Sequence, residues 1–116
     1  MESILTSIKK LLGIGDDDTS FDDDIIMGIN TEFMTLSQLG VGPFEGFSIT
    51  DKTTTWSDYL GADSVNLQAV KTYIYMKVRL VFDPPSSSFV IDATQRKIDE
   101  LTWRLNIQAE GGTVSG

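Results

Sequence analysis

One run of large side chains, residues 66–85 (NLQAVKTYIYMKVRLVFDPP), constrains the fold of this chain more than any other stretch. It holds two of the three tyrosines and three of the nine basic residues, and it ends against a double proline that stops any regular element. Its periodicity reads two ways. Ile74, Met76, Val78, Leu80 and Phe82 alternate with Tyr73, Tyr75, Lys77, Arg79 and Val81, a strand pattern. Leu67, Val70, Ile74, Val78 and Val81 recur three and four apart, a helix pattern. The β-branched and aromatic content favours a strand, but propensity is overridden by context, and the run is long against a usual strand of about 5–6 residues. Length favours the helix.

The flanking segments tilt the choice further. Residues 3–12 put Ile4, Leu5, Ile8, Leu11 and Leu12 on one face, with Lys9 and Lys10 in the last turn and Gly13 after it. That is a short amphipathic helix with cations where the dipole favours them. The next stretch crowds six aspartates into nine residues, Asp16–18 and Asp22–24. A calcium loop of the EF-hand kind needs glycine at the sixth place and glutamate at the twelfth, and counting from Asp16 those places hold Phe21 and Met27. The acids read instead as a helix start, with Ser20 as N-cap, Asp23 as its capping-box partner and Asp16–18 as solvated linker. This helix runs to about Leu39, burying Ile25, Ile29, Phe33 and Leu36 and stopping at Gly40; Gly28 inside it implies close packing.

Residues 41–55 form a long irregular loop, with Phe44, Phe47 and Ile49 packed on the core and room for a short strand at 47–50. Thr55 then opens a second capping box, TWSD, with Asp58 at N3 and Trp56, Tyr59 and Leu60 on the apolar side. Asp63 or Ser64 is the expected cap of the segment that follows. Beyond Pro84-Pro85, serines 86–88 cap the clearest helix of the chain, residues 89–108. Ile91, Thr94, Ile98, Leu101 and Leu105 make its stripe, and Asp92, Arg96, Glu100 and Arg104 make an i,i+4 ladder of alternating sign. Trp103 lies off that stripe. Residues from about 109 to 116 read as a flexible tail. Helices joined through so short a corner are antiparallel neighbours, and a lone strand between them would have no sheet to join. The expected fold is all-α: a single domain over residues 1–116, a bundle of about four to five helices with flexible termini.

Composition narrows the function. The net charge of −8 opposes binding to phosphates or anionic lipid, which runs on Lys and Arg. Without cysteine or histidine there is no thiolate chemistry and no imidazole base or ligand. No stretch approaches the ~18 apolar residues of a membrane span, and the start lacks the pattern of a signal peptide, so synthesis inside the cell is expected. The glycines occur without the context of a phosphate loop or dinucleotide fingerprint. Carboxylate pairs are present, but they fall at caps and on the ladder. The expectation is no enzyme, no catalytic residue, no cofactor and no metal.

The order of these elements carries a resemblance. DTSFDDDIIMGINTEFMTLSQLGVGP, then FSITDKTTTWSDYLG, then VKTYIYMKVRLVFDPPSSSFVIDATQRKIDELTWRLN resembles the small head–tail connector (adaptor) proteins of long-tailed bacteriophages and prophages, also labelled DNA-packaging proteins. The likeness covers roughly residues 4–108, with TWSDYLG and KVRLVFDPP plus the charged helix as its most telling parts. It implies an all-α subunit of a ring of about a dozen copies, docked under the portal protein at the head–tail junction of the virion. The ring would extend the DNA channel and present a surface to a stopper or tail-completion protein. DNA would pass without specific binding, since a ring repeating −8 per subunit would surround it with negative charge and let it slide. The resemblance transfers no residue-level site. From the residues themselves, the subunit-interface candidates are Asp92, Arg96, Glu100, Trp103 and Arg104. The termini, residues 1–15 and 110–116, are candidates for ordering on the portal or on the next protein. The competing reading is an acidic DNA mimic that inhibits a host DNA-binding protein, motivated by small size and strong negative charge.

Overall fold

The computed structural model describes residues 2–43, 45–61 and 66–114, with side chains through residue 107. Among these described residues five helices follow in order: α1 (Ile4–Leu12), α2 (Asp22–Gln38), α3 (Trp56–Leu60), α4 (Leu67–Phe82) and α5 (Ser88–Val114). The all-α expectation holds, and the run that opened two readings is a helix. Helix α4 is the hub: α5, α2 and α1 all pack on it, and α1 also packs on α2. Val70, Tyr73, Ile74 and Val78 are its buried positions. The last residue of the expected stripe departs from it. Val81 is 87% exposed, because the apolar stripe outruns the partners that cover it.

Local chemistry explains the boundaries. Ser3 caps α1 by accepting from the Thr6 amide, and Gly13 closes it at φ 82°, a left-handed conformation that costs glycine little. This helix is no free arm for a partner. Ile4, Leu5 and Ile8 lie in the core, and Glu2 pairs with Lys71 of α4 at 2.6 Å. The α3 capping box forms as expected: the Asp58 amide donates to Thr55 Oγ1 at 3.3 Å and the Thr55 amide to Asp58 Oδ2 at 2.9 Å. Ser87 begins α5, its Oγ accepting from the Val90 amide at 3.4 Å.

Helix α2 starts differently from expectation. Its N-cap is Phe21, with no side-chain cap bond, and no Ser20–Asp23 capping box forms. The Ser20 amide is instead bound by Asp18 Oδ1 in a tight local turn, which carries the chain past Ser20 before the helix begins. Asp22, Asp23 and Asp24 still fill the first turn, where the dipole favours them. At the other end of the chain α5 keeps helical backbone past residue 108 to Val114, since no proline interrupts it. The caps expected at Asp63 or Ser64, and the contact of Phe44, lie outside the described residues.

No strand forms at 47–50. The Asn30 side chain takes the role of a neighbouring strand: its Nδ2 donates to the Ile49 carbonyl at 2.9 Å, and its Oδ1 accepts the Ile49 amide at 2.8 Å. An amide side chain can satisfy both backbone groups of one residue, so a buried loop needs no sheet. The same loop is tied to the chain start by Ile4 N–H to the Thr54 carbonyl and Trp56 N–H to the Glu2 carbonyl. Phe33, Phe47 and Tyr59 then pack ring on ring at centroid distances of 4.5–5.2 Å.

Candidate interaction surfaces

The acidic stretch before α2 serves structure. Lys9, in the last turn of α1, is almost wholly buried. Its Nζ reaches the Asp16 carbonyl at 3.2 Å and sits 2.9 Å from Asp22 Oδ1. Thr6 Oγ1 donates to Asp16 Oδ1. A buried ammonium needs such partners, so these acids staple α1 to the start of α2. Among the described residues, no group of three or more acidic side chains converges.

The five interface candidates all lie on the solvent side of α5, away from Ile98, Leu101 and Leu105, which are buried. One step of the expected ladder closes: Arg104 Nε donates to Glu100 Oε1 at 3.0 Å, with Lys97 3.9 Å from the same oxygen. Among the described residues, Asp92 and Arg96 have no ion-pair partner. Trp103 is 64% exposed. The structure adds members that the sequence reading passed over. Phe89 is 74% exposed and Ile107 about half. At 100° per residue, Phe89, Arg96, Glu100, Trp103 and Ile107 share one line along the outside of α5. Helix α5 therefore has two stripes, one covered by its own domain and one bare. The spacing 89, 96, 100, 103, 107 was present in the sequence as a second run of steps of seven, four, three and four.

A second uncovered surface lies between α2 and α4, an apolar groove of about 570 Å³ lined mainly by Phe21, Met27, Gly28, Val78, Val81 and Phe82. Its floor is the close crossing of the two helices. A Cβ on Gly28 would stand 3.5 Å from a Val78 methyl, so the packing that glycine implied is real but not forced. Phe21 and Phe82 meet edge to face at 5.3 Å. Glu32, only 8% exposed, also lines the groove. Its Oε1 has no hydrogen-bond partner, and the Lys77 ammonium, at 3.9 Å, is an ion-pair neighbour too distant to donate. Burial raises the Glu32 pKa, which Lys77 only partly opposes. Nothing local in the sequence marks Glu32, because its partner lies on another helix.

The family model described as "Phage connector protein" matches residues 4–112. The chain belongs to the phage connector protein family. Neither the curated proteins nor the solved structures gave a match. The family is structural rather than catalytic, which makes this connector a component of the virion that interacts with other virion proteins. None of its helices, among the described residues, is long and apolar enough to cross a membrane.

Proposed function

We propose that this connector assembles as a closed ring at the head–tail junction, docks on the portal protein, extends the DNA channel and receives the stopper or tail-completion protein. It is made in the cytoplasm of the bacterial host and joins the virion there. The observation that carries the reading is the bare outer stripe of α5. Trp103 and Ile107 stand exposed one turn apart with Arg96 and Phe89 on the same line, and tryptophan and arginine are enriched among interface anchors. The stripe includes Arg96, Glu100 and Trp103, with Asp92 and Arg104 at its edges, so these five are the residues proposed to meet a neighbouring subunit. The charge of −8, repeated around a ring, supports passage of DNA without phosphate–cation traps.

The test is light scattering of the protein mixed with its cognate portal after size exclusion. A discrete complex of portal with a fixed ring of connector copies is expected. Separate elution of the two components, at concentrations where each is folded, would overturn the reading. A monomer in isolation is compatible with it, since the portal supplies the template. The DNA-mimic alternative loses ground to the family match and to the use of the acids. Asp22–24 sit at a helix start, Asp58 in a cap and Asp51 in a turn with Thr53, and a DNA-like array would need them spread along one face.

A further inference from the structure

The ring reading requires two different surfaces on each subunit that fit one another, since a head-to-tail contact repeats only if unlike patches meet. We infer that the bare stripe of α5 on one copy seats in the α2/α4 groove of the next, with Arg96 set against Glu32 and the aromatic side chains beside it filling the apolar walls. This inference rests on the ring reading and says which surfaces close it. Three observations on the subunit match. The groove sets two acids, Asp24 and Glu32, against one base, Lys77, among apolar side chains, and the stripe carries Arg96 between its apolar members. The signs are complementary: the groove has one more acid than base, and Arg96 brings a cation to Glu32. Glu32 carries a buried oxygen without a hydrogen-bond donor, and Arg96 is a cation without an ion-pair partner among the described residues. A guanidinium brings several donors in a fixed fork, which suits a carboxylate that its own lysine does not reach. The groove also has room for more than one aromatic ring.

The chain has no cysteine, so pairs can be introduced cleanly. Met27→Cys in the groove and Ala93→Cys one turn before Arg96 both alter exposed positions and leave the core untouched. Particles would be produced with the double variant replacing the native chain, treated with a short bismaleimide, and resolved by denaturing electrophoresis. A ladder of covalent multimers extending past the dimer is expected from this pair. A control pair, Lys52→Cys with Ala93→Cys, should give none. Adding Glu32→Gln should reduce the ladder severalfold, without loss of folded protein by circular dichroism. If a lysine-reactive reagent gives multimers but the groove pair does not, or the control matches it, the placement is wrong and the ring stands. Crosslinks from Met27→Cys to a different virion protein would likewise assign the groove to that partner and overturn the placement. If neither reagent yields multimers from intact particles, ring and placement both fail.

Discussion

Glu32 holds its proton to a higher pH in the folded protein than in the unfolded chain, because burial disfavours its charge and Lys77 opposes this only in part. Its contribution to stability therefore falls as pH rises from the ordinary glutamate value of 4.5 through the raised folded value, and is recovered as pH drops back. Glu32→Gln should raise the denaturation midpoint of the isolated subunit at neutral pH, and the gain should fade below the ordinary value; chemical denaturation across pH measures it. The same change should weaken assembly, so stability and use would move in opposite directions. Two glycines make a contrasting pair. At Gly42 φ is 89° and an added Cβ would fall 2.5 Å from Tyr59 Cε1, so Gly42→Ala should cost about 1–3 kcal/mol from strain and overpacking. At Gly28 the nearest atom is at 3.5 Å and the backbone is helical, so Gly28→Ala should stabilise by up to about 1 kcal/mol. Urea titration of both variants decides the signs. Trp56 supplies a third case: its Nε1 donates to Ser7 Oγ at 2.7 Å inside the core, and Ser7 Oγ donates onward to the Ile4 carbonyl. Ser7→Ala strands the indole N–H and should cost about 1–3 kcal/mol.

At the scale of elements, the proposed ring assigns folding and assembly to opposite sides of α5. Its inner stripe holds it to α4, whereas Trp103 on its outer stripe is 64% exposed. Trp103→Ala should leave subunit stability within about 0.5 kcal/mol of the parent, as surface substitutions do, while sharply reducing complex formation with portal. Equal losses in both assays would return Trp103 to a folding role. What was legible beforehand follows the range of the interactions. The three–four spacing of α1, α2 and α5, the Thr55–Asp58 cap and the glycine stops are encoded within one or two turns and could be read directly. Helix α4 could be read only through its neighbours, since its own side chains satisfy both periods. What was not legible depends on contacts far apart in the chain. Lys9 reads from sequence as a last-turn cation beside the apolar face, and it is buried because Asp16 and Asp22 fold over it. Asn30 lies 19 residues from Ile49 in the chain and replaces a strand for it. The Ser20 cap failed through a competing turn with Asp18, a choice between two local bonds that composition does not rank. The groove at Glu32 exists only once α2 crosses α4.

For the whole molecule, membership of the phage connector protein family and the two bare surfaces point the same way. The net charge of −8 gives each copy a reason not to hold the DNA that would pass it. The most direct measurement is an electron cryomicroscopy reconstruction of the head–tail junction in intact particles. A closed ring of this five-helix fold is predicted directly beneath the portal, with the outer face of α5 against the next subunit and the channel running through its centre. A junction whose density has no place for the fold, or that holds it only as isolated copies away from the channel, would contradict a ring-forming connector.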